Sequence, residues 1–500
     1  MLFNTLSFAV FMTVVFLVYW ILPHRFRWIV LLVANTYFYL SFDVKYLVIL
    51  LFTAVASYGV GIAMENQNVQ KKKKILLSAG IASVLVFLFV FKYLNFAIAS
   101  VETILKAFAI PVQETTLKLL MPAGISFYSF QMVGYLVDVY RGKIKAEHHF
   151  GKYAIFVSFF PNISSGPIER AGHFIPQIDA EKKFDYDGVV YGSRMLLWGM
   201  FKKAVFADKL AQYADIVFNN VYEFSGLSFV LATFFYTFQI YCDFSAYSDM
   251  AIGIAKMLGF DLSVNFRSPY FATSITDFWS RWHISLSTWF RDYVYIPLGG
   301  NRVSKFRRNL NLLITFLVSG LWHGANWTFV LWGGIHGVCQ VIEKTVKEII
   351  LAHGNKNEQG ADGVNERTKE LLTNSSRVWQ LVKTIFSTVV TFCIVSYAWM
   401  FFRADSIAEA LYMAQNMFTD LSLSNALMQM AMGYGTVLKI LIAIVFIMVF
   451  DYVNQKKDVL KWMGKLPAVI RWGIYVGAAI VIITLNLHGG VSQQFIYFNF

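Results

Sequence analysis

The sequence is short of charge. Only 15% of its 500 residues are Asp, Glu, Lys or Arg, against roughly 25% in an ordinary soluble domain. A water-soluble fold of this length could not cover its surface with so few charges. Counted with Gly and without Tyr, the apolar share is about 58%, against roughly 45–50% for soluble domains. Cysteine is also scarce. Cys242, Cys339 and Cys393 all lie inside apolar runs, without the paired spacings of a disulfide or metal framework. Disorder, collagen and a disulfide scaffold are therefore excluded, and no metal site is expected. The chain carries no Gly-x-x-x-x-Gly-Lys loop, no His-Glu-x-x-His pair and no Gly-x-Ser-x-Gly elbow, which leaves little support for an ATP-driven pump, a zinc protease or a serine esterase. What is abundant is long apolar sequence. It specifies an all-α, polytopic integral membrane protein.

The net charge of +13 would raise the question of nucleic acid in a soluble protein. Here the basic residues gather in short clusters between apolar runs, at residues 24–27, 71–74, 302–308 and 456–465. That is the pattern of cytoplasmic loops, and no nucleic-acid recognition module is visible. Residues 3–22 form an apolar run with no basic residue before it and no small-residue cleavage site, so they read as a retained helix and not a signal peptide. Further runs follow at 28–42, 46–64, 75–91, 125–139, 153–163, 189–206, 227–242, 384–402, 434–450 and 468–487. About ten to twelve transmembrane helices are expected, with short or re-entrant helices around an intramembrane cavity. With the clusters inside, both termini face outward. The whole chain, 1–500, reads as one domain. Residues 343–380 form a polar, cytoplasmic loop, and residues 491–500 an aromatic, extracytoplasmic tail.

Ionisable residues at membrane depth are costly and normally face a cavity, a partner or a reaction. Between Phe271 and His336 the chain carries Asp277, Arg281, His283, Arg291, Asp292, His323 and His336 among many aromatics. Residues 309–321 are too short to span a bilayer as a helix, about 20 Å at 1.5 Å per residue. They predict a hairpin or re-entrant pair whose turn is Trp322-His323-Gly324-Ala325-Asn326-Trp327. His323 at that turn can take and return a proton near neutrality, and Gly324 allows close approach. The plainer reading is a histidine that only bonds two helices together. Trp279, His283, Ser287 and Arg291 recur every fourth residue and, read as a helix, share one face. Such a stripe suits a polar cavity, or a polar seam between helices. Asp277 and Arg281, four apart, can pair. His336, behind Gly333 and Gly334, reads as packing.

These residues carry a family resemblance. The run from Asp277-Phe278-Trp279-Ser280-Arg281-Trp282-His283 to Ser285-Leu286-Ser287-Thr288-Trp289-Phe290-Arg291-Asp292-Tyr293 is followed by Ile296-Pro297-Leu298-Gly299-Gly300-Asn301-Arg302 and Gly320-Leu321-Trp322-His323-Gly324. Together with Phe401-Phe402-Arg403-Ala404 and the closing Phe495-Ile496-Tyr497-Phe498-Asn499-Phe500, it resembles the membrane-bound O-acyltransferase family, in its bacterial alginate O-acetyltransferase branch.

The resemblance implies an enzyme of the bacterial cytoplasmic membrane. It would move an acetyl group from a cytoplasmic thioester, acetyl-CoA or another acyl donor, to an extracytoplasmic polysaccharide, with no bound cofactor. It implies His323 as general base, with His283 orienting the acceptor or acyl carbonyl or stabilising charge on its oxygen. Trp279, Arg281, Ser287, Arg291, Asp292, Trp322 and Asn326 would line the cavity. Tyr497 is a candidate acyl carrier, the alternative being an aromatic belt residue. Enzymes of this branch work with an exported, esterase-like (SGNH-type) partner, and membrane lipids surround them. Two other activities stay open: D-alanyl or other acyl transfer to teichoic acid or a lipid-linked glycan, and a non-enzymatic transporter or flippase.

Overall fold

A computed structural model of the chain describes residues 1–500 except 2, 114, 355–365, 489–494 and 497–500; the side chains of 351–377 and 486–488 are likewise not described. Tyr497 therefore lies outside the described residues, as does the centre of the 343–380 segment. The flanks of that segment are helical, within Trp327–Gly354 and Glu366–Arg403.

The architecture is all-helical, as the composition requires. Among the described residues six helices are both long and apolar enough to cross a bilayer: Val44–Glu65, Gln70–Ala107, Leu227–Met257, Val378–Arg403, Tyr434–Asn454 and Ala468–Leu485. Leu6–Ile21 is a shorter apolar helix. Large apolar side chains such as Val14, Val48, Leu441, Val469 and Trp472 stand exposed along these helices. Water would not tolerate so continuous an apolar surface, whereas lipid tails cover it.

The chain packs as two compact units, one formed by Met1–Lys209, Gln239–Val264 and Val459–Phe500, the other by Leu210–Phe238 and Asn265–Asp458. The first holds the helices of the amino-terminal third, beginning with Leu6–Ile21, and the last helix, Ala468–His488. Its interior carries charge. Lys203 Nζ lies 2.6 Å from Asp243 Oδ1 and 2.9 Å from Asp208 Oδ1, and Lys202 Nζ reaches Asp249 Oδ2 and Ser245 Oγ, each at 2.7 Å. Both lysines sit in Lys202–Ala207, one turn of π-helix, a local widening that often marks a functional position. Phe495 and Ile496 meet this cluster. The Ile496 amide donates to Asp243 Oδ2 at 2.8 Å, and Lys203 Nζ lies 4.5 Å from the centre of the Phe495 ring.

The second unit is organised around an antiparallel hairpin, Lys305–His323 and Trp327–Gly354. Ser304 caps the first arm by accepting from the Arg307 amide, and Asn326 Oδ1 accepts from the Thr328 amide at the start of the second. The expected hairpin is present. Its first arm starts earlier than hydropathy suggested, at Lys305, and runs through His323 with Gly324 as its cap. The arms touch through glycine. A Cβ on Gly320 would meet the Phe329 carbonyl oxygen at 2.2 Å, and one on Gly333 would meet that of Phe316 at 2.2 Å. Gly320→Ala or Gly333→Ala should push the arms apart, costing about 1–3 kcal/mol as overpacking does. The expected readout is a lower unfolding temperature in detergent; Gly334→Ala, whose Cβ would meet only Leu317 at 3.5 Å, should leave it unchanged.

Candidate active site

The hairpin end sets His323 at the last helical position of its arm, 1% exposed. Rings enclose it: Trp322 and Trp332, each 5.0 Å away between centroids, and Phe402 at 5.4 Å. Trp399 stacks on Trp332 at 5.4 Å and lies 5.0 Å from Trp282. Gly324 is required here, since a Cβ on it would fall 2.0 Å from the Phe329 ring, and Phe329 packs edge-on against Phe402 at 4.8 Å.

His283 reaches the same place from a different element. The fourfold spacing of Trp279, His283, Ser287 and Arg291 suggested one continuous helix, and the structure corrects that. Ile275–Arg281 is a helix capped by Ser274, whose side chain accepts from the Asp277 amide. Ile284–Phe290 is a second one, and His283 between them has φ 44°, in the left-handed region. The reason is long-range. The Arg281 carbonyl accepts from the Arg267 amide and the Ile284 amide donates to the Asn265 carbonyl, both at 3.0 Å, so the Asn265–Arg267 strand of backbone fills the break. A side chain with a Cβ pays strain at positive φ, and such residues cluster at functional sites. His283 is fully buried, and its ring centroid lies 6.3 Å from that of His323. At that separation one reacting oxygen can lie within hydrogen-bond reach of both rings.

A cavity of about 360 Å³ lies in the same unit, lined by chain neighbours of the two histidines and by neither histidine itself; its volume is within the size range of small-molecule sites. Its walls include Ile284, next to His283, and Ser319, one turn before His323. Of the residues expected to line it, Trp279, Ser287 and Arg291 do so. The others do not line this cavity. Arg281 pairs with Asp277 at 2.7 Å, as its spacing suggested, and Asp292 pairs with Arg291 at 2.8 Å. Trp322 is buried against the two histidines. Asn326 caps the second hairpin arm and donates to the Asp405 carbonyl at 2.8 Å. His336 is fully buried and accepts from Trp279 Nε1 at 3.3 Å, which suits the packing reading and also steadies a cavity wall.

Several contributors escaped the sequence. Tyr295 and Gln340 line the cavity, the former from a π-helical turn, Arg291–Tyr295. Asn265 and Ser285 surround His283: Asn265 Oδ1 lies 3.0 Å from His283 Nδ1 and accepts from the Ser285 hydroxyl at 2.9 Å. No local periodicity links positions 18 residues apart. Among the described residues no group of three or more His, Cys, Asp or Glu side chains could hold a metal ion.

The long apolar helices define a class, that of multi-pass membrane proteins. Residues 144–353 match the family model for MBOAT, the membrane-bound O-acyltransferase family. The chain is 35% identical over 461 residues to a probable alginate O-acetylase, AlgI, of Pseudomonas aeruginosa, covering 91% of this chain and 83% of that one. It is 33% identical to a peptidoglycan O-acetyltransferase of Helicobacter pylori, covering 83% and 80%. A teichoic acid D-alanyltransferase of Streptococcus thermophilus is 31% identical over a smaller part, 46% of this chain and 59% of that one. The chain belongs to the membrane-bound O-acyltransferase family. It is a multi-pass membrane enzyme, an O-acyltransferase of the alginate O-acetylase-like branch.

Proposed function

We propose that this enzyme takes an acetyl group from acetyl-CoA on the cytoplasmic side and delivers it for O-acetylation of a polysaccharide outside the cytoplasmic membrane. The observation that carries the reading is the pair of buried histidines, 6.3 Å apart between ring centroids, in the unit that also holds a cavity lined by Ile284, Ser319 and Arg291. The guanidinium is suited to an anionic donor. The basic stretch 302–308 follows it along the chain, and the positive-inside rule assigns that stretch to the cytoplasm, with both termini outside.

In this mechanism His323 removes the proton of the acceptor hydroxyl as its oxygen attacks the thioester carbonyl. A C–O bond forms, the C–S bond breaks, and the thiolate leaves with the proton that His323 returns. The encircling rings keep water from hydrolysing the thioester. His283 orients the reacting groups.

The acceptor of the first transfer is the Tyr497 phenol, which hands the acetyl group to an exported, esterase-like partner. The docking of Phe495 and Ile496 on the Lys203–Asp243 cluster supports a positioned tail. Tyr497→Phe is expected to abolish polymer acetylation while leaving protein abundance unchanged; an anchoring aromatic would tolerate the change. Mass spectrometry of surface polymers from cells with and without the protein tests the whole reading. Loss of O-acetyl esters from a polysaccharide supports it, and loss of D-alanyl esters from teichoic acid overturns it.

A further inference from the structure

We infer that Asn265 is a positioning residue that fixes which nitrogen of His283 carries the proton, and with it the kind of group His283 can hold. The inference rests on His283 belonging to the reacting site. Asn265 and His283 are both fully buried. One amide atom of Asn265 faces three partners: His283 Nδ1 at 3.0 Å, the Ser285 backbone nitrogen at 3.3 Å and Ser285 Oγ at 2.9 Å. Placing oxygen or nitrogen at that position is ordinarily a choice between two indistinguishable atoms. Here the Ser285 N–H decides it, because a backbone amide only donates. The facing atom must be the oxygen. A carbonyl oxygen only accepts, so His283 Nδ1 must carry the hydrogen.

A neutral imidazole has one N–H. With it spent on Asn265, Nε2 presents a lone pair. In that state His283 accepts a hydrogen bond and donates none, so whatever group it meets through Nε2 must bring an O–H or N–H. The acyl carbonyl oxygen, itself an acceptor, is left to other donors. The backbone of the same residue reinforces the arrangement. The Asn265 carbonyl takes the Ile284 amide at 3.0 Å, so Asn265 holds both the His283 ring and the backbone that follows its left-handed residue, φ 44°. The placement is the logic of a group that orients a catalytic imidazole.

The test uses the full-length protein in detergent or nanodiscs, with acetyl-CoA as donor. Asn265→Leu, which removes the acceptor oxygen, should lower kcat by about ten- to a hundredfold, the range for side chains that orient an active imidazole, with the KM for acetyl-CoA nearly unchanged. Asn265→Asp keeps an oxygen at that position and should recover most of the lost kcat. Selective ¹⁵N-histidine labelling of the unaltered protein, assigned by comparison with His283→Gln, should show His283 protonated at Nδ1; this reading does not depend on either Asn265 variant folding. A His283 protonated at Nε2, or equal losses in the Leu and Asp variants, would overturn the inference. Full activity in His283→Gln would instead overturn the assignment of His283 to the site, a failure distinct from the tautomer result.

Discussion

His323→Ala and His323→Gln are expected to lower acyl transfer by about 10²- to 10⁴-fold, the usual contribution of a positioned general base. The protein should remain folded. His323 is buried among rings at the end of its helix, and Gln is polar and of similar reach, so the Gln variant in particular should keep the packing of Trp322, Trp332 and Phe402. A loss in kcat with an unchanged KM for the donor would mark an interaction made in the transition state. The measurement is single-turnover transfer from labelled acetyl-CoA, alongside the thermal melt of each variant. His323→Gln with ordinary turnover would transfer the role of base to another residue.

The second large effect concerns stability. Lys203→Met should destabilise the protein by about 3–5 kcal/mol, because it leaves buried carboxylate charge without its partner. Lys203 and Asp243 are 3% and 2% exposed at their side chains, too little for water to substitute for either. The same change removes the cation against which the Phe495 ring lies, so the tail should become more accessible to a carboxypeptidase. Adding Asp243→Asn to Lys203→Met should recover part of the stability by removing the stranded charge. It should not restore the tail contact, since the cation is still absent. Thermal melts and tail proteolysis read the two effects separately.

The sequence was most informative where physics is local. Membrane spans follow from apolar runs, and the hairpin at His323 follows from a short apolar segment ending in Trp-His-Gly. Gly320, Gly324 and Gly333 mark the places where only hydrogen fits. The helix through His283 shows the opposite case. Its fourfold spacing favoured a continuous helix, and every residue from Ile275 to Phe290 is compatible with one. The chain breaks instead because Asn265 and Arg267 capture the Arg281 carbonyl and the Ile284 amide, and nothing in the local pattern announces partners so far away. The consequence was a mixed result for the cavity. Trp279, Ser287 and Arg291 line it, while Arg281 turns to Asp277 and Asn326 serves as a helix cap. The Lys203–Asp243 pair was illegible for the same reason, its members lying 40 residues apart.

If the buried histidine pair performs chemistry and does not merely line a path, ester formation must depend on it. Proteoliposomes test it most directly. Protein is reconstituted with a soluble polysaccharide and the proposed exported partner on one side, and acetyl-labelled acetyl-CoA is supplied on the other. Labelled O-acetyl esters are expected on the polysaccharide with the unaltered protein, and none above background with His323→Gln. Ester formation that persists in His323→Gln, or passage of the intact donor across the bilayer with no ester formed, would contradict it.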